Sequence, residues 1–362
     1  ATGLGLGLPV EQIRTGLARV GSVPGRLERV TLADGAGAAG PAVFVDYAHT
    51  PDALENVLLS LRPLATGRLI CVFGCGGDRD RGKRPLMGAI AAHWADVAIV
   101  TSDNPRTEDP ETIVAAVAEG AAGTSRQLGE VSALLTAEPP LDGYAVLSDR
   151  RQAIVAACSL ARPEDTVLIA GKGHEDYQIL GTEKHFFDDR LEAANALACW
   201  NARHLLAATG GRVVSGRQGQ VFRRISTDTR TIEPGDVFVA LRGEQFDGHS
   251  YIDRAVRAGA AAVLVDRLPE GLPPEVLAIE VDDTLQALGA LAGYRRRLFA
   301  PRLQVAAITG SSGKTTVKEL VAAIFAEALA WVHTGIDPLL KTRGNFNNLV
   351  GLPLSLLPIE AG

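Results

Sequence analysis

The sequence predicts an α/β protein: a Rossmann-like, mostly parallel sheet domain, then a smaller α/β domain, then the start of a domain built on a phosphate-binding loop. Three observations predict it. From Val43 to Ala170 apolar strands alternate with helices, a rhythm that makes a parallel sheet covered on both faces. Thr209-Gly210-Gly211-Arg212 then breaks the chain, and a second run of short strands and helices extends to near Ala300. Last, Thr-Gly-Ser-Ser-Gly-Lys-Thr-Thr at 309–316 lies between an apolar strand, Leu303 to Ile308, and a helix, Val317 to Phe325.

The elements follow in order. Leu4 to Leu8 is Gly-rich, and Pro9 to Val20 reads as one amphipathic helix with Val10, Ile13, Leu17 and Val20 on one face. Ala42 to Asp46 is a buried strand. Thr50 is a good N-cap with Pro51 at the first helical position, and Ala53, Leu54, Val57, Leu58 and Leu61 form the helix face. Arg68 to Phe73 is a strand, Met87 to Trp94 a helix, Val97 to Val100 a strand, Ile113 to Ala122 a helix, and Thr166 to Ala170 a strand. Residues 124–145, with Pro139-Pro140 and Asp142-Gly143, read as a surface excursion. Asp188 to His204 reads as one helix with Leu191, Ala194, Leu197 and Ala198 as its apolar stripe. In the second unit Val221 to Ser226, Asp236 to Ala240 and Ala261 to Val265 are strands, and Tyr251 to Ala258 is a helix.

The 362 residues make room for roughly two to three domains. A net charge of −6 argues against generic nucleic-acid binding. No apolar run reaches the length of a membrane span, and no basic leader opens the chain. Cys71, Cys75, Cys158 and Cys199 form no C-x-x-C pair, the pattern of reduced thiols in a cytoplasmic protein.

Residues 309–316 carry the strongest chemical signal. Glycines let backbone N–H groups curl around phosphate oxygens, Lys314 adds a point charge, and the Thr315 hydroxyl can hold Mg²⁺. That combination points to a nucleoside triphosphate, although Ile308 stands where the common motif has its first glycine. Gly77 to Lys83 has similar spacing, but Arg84 replaces the hydroxyl residue. Arg79 there suits a carboxylate, which it can grip with two parallel hydrogen bonds. Polar, Gly-rich loops end four strands: Asp46-Tyr47-Ala48-His49, Gly74 to Arg79, Asp103-Asn104-Pro105-Arg106 and Gly171-Lys172-Gly173-His174-Glu175. Ligands of parallel sheets bind beyond the carboxyl ends of the strands. Ser226 to Arg230 and Phe246 to His249 stand out in the second unit; His249 reads as a structural histidine.

These words resemble the Mur ligases of peptidoglycan synthesis, and they resemble two members. Residues 22–200 look like the C-terminal domain of the ligase that adds meso-diaminopimelate to UDP-N-acetylmuramoyl-L-alanyl-D-glutamate, through Pro24 to Glu28, Asp46 to Asp52, Phe73 to Asp80, Asp103 to Arg106 and Gly171 to Tyr177. Residues 205–362 look like the D-alanyl-D-alanine-adding ligase, through Ser226 to Arg230, Phe246 to His249, Thr309 to Thr316 and Gly344 to Asn348. The resemblance divides the chain into the tail of a central domain (1–21), an amino-acid-binding C-terminal domain (22–204), a UDP-muropeptide-binding N-terminal domain (205–300) and the start of a central ATPase domain (301–362).

The resemblance also implies roles. Arg79, Asp103, Asn104, Arg106, Gly171 and Glu175 would bind diaminopimelate, Arg106 and Asn104 holding its far carboxylate and amine. Arg26, Asp46, His49 and Arg150 would lie near a nucleotide. Gly310, Ser311, Ser312, Gly313, Lys314, Thr315 and Thr316 would bind ATP, with Thr315 on Mg²⁺. Ser226, Thr227, Asp228 and Arg230 would meet the uridine end of the muropeptide, and Asn345 and Asn348 the active-site cleft. The implied reaction is amide formation through an acyl phosphate, with UDP-N-acetylmuramoyl peptides, meso-diaminopimelate and D-alanyl-D-alanine as partners. A C-terminal domain ahead of an N-terminal one implies a fusion of two ligases, of which this chain is the inactive middle. The phosphate loop lies only about fifty residues before the last residue, so the chain is expected to stop inside a domain. The rivals are a circularly permuted single ligase, a nucleotide-binding switch and a non-catalytic scaffold.

Overall fold

The computed structural model describes residues 2–19, 23–32, 40–128, 142–218, 220–243, 246–300, 303–329, 339–342 and 348–360. In the first unit, β1 (Glu28–Val30), β2 (Ala42–Asp46), β3 (Leu69–Cys75), β4 (Val97–Ser102), β5 (Gly143–Val146) and β6 (Thr166–Ala170) form one sheet in the order β1-β2-β6-β3-β4-β5. Only β1 runs antiparallel to its neighbour. Side chains alternate across each strand, so Leu69, Cys71 and Phe73 of β3 pack with α3 (Pro51–Leu61), α4 (Lys83–Trp94) and α5 (Pro110–Ala122). Ile70 and Val72 face the other way, toward α6 (Arg150–Leu160) and α7 (Asp189–Leu197). Covered on both faces, β3 is buried along its whole length. The helices start where side chains can cap them: Thr50 accepts from Ala53 N, Asp109 from Thr112 N and Asp149 from Gln152 N.

After β7 (Tyr177–Leu180) and β8 (Glu183–Phe186), an antiparallel hairpin, the chain passes through α7 to the second unit. There β10 (Arg212–Ser215), β12 (Ile225–Ser226), β13 (Val237–Val239), β14 (Ala262–Val265) and β15 (Leu277–Glu280) make a sheet ordered β10-β15-β14-β13-β12, antiparallel only at β10. α8 (Ala202–Thr209), α9 (Ile252–Arg257) and α10 (Thr284–Leu298) accompany it. Trp200, Leu205, Phe222 and Leu291 join the same buried cluster as Ile70 and Val167, so the two units share one core. Arg295 of α10, almost wholly buried, donates to the carbonyls of Ile359, at 2.7 Å, and Ala198. Those contacts tie α10 to the end of α7 and to the segment after α12 (Gly351–Leu356).

The structure departs from the sequence expectation at several places. The helix expected from Asp188 to His204 is two, α7 and α8, interrupted by β9 (Trp200–Asn201). Asn201 is the reason: its side chain accepts from His204 N at 2.9 Å and starts a new helix, while its backbone pairs with β11 (Val221–Phe222). Pairing with β9 also splits the strand expected over Val221 to Ser226. The helix expected over Tyr251 to Ala258 is present as α9, with a 3₁₀ turn, Gly248–Tyr251, leading into it. Leu303 to Ile308 is not a strand: among the described residues no strand lies beside it, so its backbone has no ladder to join, and Val305 is 56 % exposed. The helix after it, α11, spans Lys314–Leu329.

Gly143, expected in a surface turn, begins the edge strand β5; of the surface excursion itself, residues 129–141 lie outside the described residues. The N-terminal amphipathic helix is α2 (Val10–Arg19), preceded by α1 (Thr2–Gly5); Val10 and Leu17 are exposed, and Val20 lies outside the described residues. Cys71, Cys75 and Cys158 are buried free thiols and Cys199 is half-buried. Among the described residues, no helix is long and apolar enough to cross a membrane.

Candidate functional site

Parallel strands all end on one edge, and the loops after β2, β3, β4 and β6 meet there. Asp103 and Asn104, just past β4, are buried polar residues that need partners. Asn104 Nδ2 donates to Glu175 Oε2 at 3.1 Å, and its Oδ1 accepts from Ile179 N at 2.9 Å and from Lys172 Nζ at 3.1 Å. Lys172 is fully buried, with its ammonium 3.4 Å from Asp103 Oδ1 and 4.0 Å from Glu175 Oε2. Burial pushes its pKa down, and Asp103 pulls it back up. Tyr47 Oη donates to Glu175 Oε1 at 3.4 Å, and Gln178 Nε2 to the Asp103 carbonyl at 2.6 Å. Gly171 follows β6 with φ 123°, and its N–H donates to the Asp46 carbonyl at 3.0 Å.

Arg106, half-buried, follows two residues after Asn104 on the same loop. It holds φ 52°, which most side chains avoid, and the hairpin keeps it there: Arg106 N donates to Ile179 O at 3.1 Å and Gly181 N to Arg106 O at 2.8 Å. Its guanidinium donates to the Gly77 carbonyl at 2.7 Å. A Cβ added at Gly76 would lie 2.9 Å from Arg106 Nη1, 3.6 Å from the Asn104 carbonyl oxygen and 3.9 Å from Arg79 Cγ, so both arginines lie against that glycine. The loop beyond is set by Asp78, also at positive φ, whose N–H donates to Glu108 and whose carboxylate accepts from Thr107. Of the residues expected to bind diaminopimelate, Asp103, Asn104, Gly171 and Glu175 are brought together around Lys172, with Arg79 and Arg106 beside one another at Gly76.

The residues expected near a nucleotide behave differently from one another. Exposed Arg26 lies over the Tyr47 ring, 4.9 Å from its centroid, and Tyr47 also packs against His49 and His174. His49 Nδ1 bonds the Tyr47 carbonyl at 2.8 Å. Both Asp46 oxygens accept backbone N–H groups, from Leu27 at 2.7 Å and Ala48 at 2.9 Å, so Asp46 anchors the 24–27 loop. Arg150 is wholly buried. Its donors go to Asp189, Ala170 and Ser102, so it braces the sheet edge and offers no surface to a ligand. An arginine after an apolar strand end gave no sign that Asp189, thirty-nine residues on, would bury it.

In the second unit Ser226 Oγ accepts from Asp228 N at 3.1 Å, and Arg230 grips Asp228 with two bonds, at 2.7 and 2.9 Å. That guanidinium holds the Asp228 carboxyl down at about 2. Thr227, between them, is half-buried. His249 bonds Asp247 at 2.8 Å and accepts from Asp266 N at 3.2 Å, a structural arrangement. Asn348 caps α12, its Oδ1 accepting from Gly351 N at 2.6 Å; Asn345 lies outside the described residues.

Residues 309–313 form an exposed turn into α11, with Gly310 at φ 152° and Gly313 at φ 76°. Ser311, Ser312, Thr315 and Thr316 are exposed, and Lys314 folds back onto the Gly310 carbonyl. The turn fits a phosphate chemically: the first N–H groups of an α-helix have no intrahelical partner, and here they open beside a lysine. Among the described residues no three His, Cys, Asp or Glu side chains are arranged to hold a metal ion.

Lys172 was not singled out by the sequence. It sits between two glycines in one of the four polar, Gly-rich loops; its signal was a lysine placed directly after an apolar strand and its glycine.

Residues 25–173 match the family described as Mur ligase, glutamate ligase domain, residues 221–296 the Mur ligase family catalytic domain, and residues 308–361 the Mur ligase middle domain. A UDP-N-acetylmuramoyl-L-alanyl-D-glutamate–2,6-diaminopimelate ligase of Thermosynechococcus vestitus is 53 % identical over 197 residues, 54 % of this chain and 36 % of the relative. The ligase of the same name from Geobacter metallireducens is 53 % identical over 196 residues, 54 % of this chain and 37 % of the relative. The chain thus spans about a third of the length of the curated relatives it matches. Among solved structures, the UDP-N-acetylmuramoylalanyl-D-glutamyl-2,6-diaminopimelate–D-alanyl-D-alanyl ligase of Acinetobacter baumannii is 40 % identical, covering 45 % of this chain and 34 % of its own, with a TM-score of 0.39.

Proposed function

We propose that the chain, three segments of which match Mur ligase domain families, carries parts of two ATP-dependent amide-bond-forming ligases: the amino-acid-binding domain of a meso-diaminopimelate-adding ligase over 22–204, and the opening of a D-alanyl-D-alanine-adding ligase over 205–362. The observation that carries the first half is the pairing of an acceptor, Glu175, with an amide donor, Asn104, on the loop whose Arg106 guanidinium lies with the Asn104 carbonyl against Gly76. One end of a diamino acid carries both an ammonium and a carboxylate, and such an end needs both kinds of partner. The order of the matched segments supports the second half, since the glutamate ligase domain precedes the catalytic and middle domains.

In this reading ATP and Mg²⁺, when bound, supply phosphoryl transfer that activates a substrate carboxylate for attack by the incoming amine. Gly310 to Gly313 shape the phosphate cradle, Lys314 brings positive charge to it, and Thr315 offers its hydroxyl to the metal. Glu175 and Asn104, with Arg106 two residues on, orient the amino acid by its far end, leaving the near amine to react. Ser226, Thr227, Asp228 and Arg230 form the candidate contact for the uridine end of the muropeptide, and Asn348 approaches the cleft. An ATP-consuming step of this kind belongs in the cytoplasm.

The test is phosphate release in the longer polypeptide this reading implies. Arg106→Ala is expected to abolish release driven by meso-diaminopimelate with the muramoyl dipeptide and to spare release driven by D-alanyl-D-alanine with the tripeptide. Lys314→Ala is expected to do the reverse. Loss of both activities from either substitution would contradict two ligases and favour one permuted enzyme. The 362-residue chain alone is expected to release no phosphate in either mixture.

A further inference from the structure

Lys172 is a lysine sealed from solvent whose carboxylate neighbours are not its nearest partner. Asp103 and Glu175 stand 3.4 and 4.0 Å away, while the Asn104 amide oxygen lies at 3.1 Å. The Ile179 N–H meets that same oxygen at 2.9 Å. An ammonium and a backbone amide can only donate, so Asn104 must turn its oxygen to them and its Nδ2 to Glu175. The pocket therefore presents an amide donor beside a carboxylate acceptor in one fixed order.

The charges agree with that order. Arg150 and Asp189 neutralise one another within a sealed pair. Two carboxylates, Asp103 and Glu175, remain against one ammonium, Lys172, within the buried cluster, and the Arg106 guanidinium on the loop after β4 is the next positive charge. Without Lys172 the two carboxylates would have no ammonium between them, and the Asn104 oxygen would keep only the Ile179 N–H. A pocket of that kind attracts an ammonium and discriminates poorly against a ligand with no carboxylate beside it.

Resting on the diamino-acid reading, we infer that Lys172 is a positioning residue that sets specificity: it fixes the Asn104 amide as a donor and cancels one pocket carboxylate, so that the site takes an amino acid whose far end is a zwitterion over one whose far end is an ammonium alone. Lys172 touches neither end of such a ligand; it acts through Asn104 and Glu175.

The experiment is calorimetric titration of the 362-residue chain with meso-diaminopimelate and with L-lysine, in the natural protein, Lys172→Met, Lys172→Arg and Asp103→Asn/Lys172→Met. The natural chain is expected to prefer meso-diaminopimelate. In Lys172→Met the ratio of the two affinities is expected to fall about tenfold, the effect of losing one well-placed donor to a charged group, and Lys172→Arg to recover part of it. Near-ultraviolet circular dichroism shows whether each variant is folded. The double variant removes the amine without leaving a surplus buried charge, so it carries the test should Lys172→Met not fold; a smaller fall in the ratio is expected of it, because only the hold on the Asn104 oxygen is then lost. An equal loss of affinity for both amino acids, with the ratio unchanged, would overturn the role of Lys172 and leave the diamino-acid reading standing. Failure of the natural chain to bind meso-diaminopimelate would overturn both.

Discussion

Arg150 and Asp189 are joined by two hydrogen bonds, Nε to Oδ1 at 2.8 Å and Nη2 to Oδ2 at 2.6 Å, with neither side chain open to solvent. The same Nη2 reaches the Ala170 carbonyl at 3.0 Å, so one pair locks the starts of α6 and α7 to the end of β6. Gly171 and Lys172 come next in the chain. The pair thus fixes the strand end from which the pocket grows.

Removing one partner leaves an uncompensated buried charge. Arg150→Met or Asp189→Asn alone is expected to lower unfolding free energy by about 3–5 kcal/mol in denaturant melts. Arg150→Met combined with Asp189→Leu is expected to recover most of that loss, because the desolvation cost of both ions disappears. Full additivity of the two single losses would count against a coupled pair.

α4 and α5 cross at glycines. A Cβ on Gly120 would stand 1.8 Å from the Pro85 carbonyl, and one on Gly88 2.0 Å from the Val117 carbonyl. Alanine is the better helix former by about 1 kcal/mol, so propensity alone predicts that Gly120→Ala stabilises. The clash is with backbone on both sides and cannot rotate away. Gly88→Ala and Gly120→Ala are each expected to destabilise by about 1–3 kcal/mol, read as a lower denaturant midpoint. A raised midpoint would mean the helices are further apart than described.

His204 lies at the junction of the two units, its Nδ1 bonded to the Cys199 carbonyl at 2.8 Å and its ring 5.6 Å from that of Tyr294. Burial pulls its pKa down from 6.5 to about 4. The folded value is below the unfolded one, so the unfolded chain binds the extra proton first. The neutral ring's contribution is complete above pH 6.5 and is lost as the pH falls toward 4, at no more than about 1.4 kcal/mol per pH unit. Melts at pH 7 and pH 5 should therefore show a smaller acid loss in His204→Asn than in the natural chain. Equal slopes would show that the ring is not buried neutral.

Much of this architecture was legible because the first unit's strands and caps agree at every level. Thr50 with Pro51 marks the start of α3, and the apolar runs at Val43, Leu69, Val97 and Thr166 have strand length and end in glycine or polar residues. What stayed hidden depends on partners far away in sequence. The break at Asn201 needs β11 twenty residues later, and the burial of Arg150 needs Asp189. Leu303 to Ile308 has the composition of a strand, but a strand exists only when something pairs with it. In the site, the four loops could be placed on one edge from the alternation of strands and helices. The bonds that orient Asn104 could not, because its two donors come from the loop after β6 and from the β7–β8 hairpin.

The most direct test of the central claim is titration of the chain with meso-diaminopimelate, compared between the natural protein and Arg106→Ala. Saturable binding that weakens about tenfold or more in Arg106→Ala, with the melting curve unchanged, is the result predicted for a pocket that reads the far carboxylate. Binding of equal strength in the two proteins, or no binding to the natural chain, would contradict it.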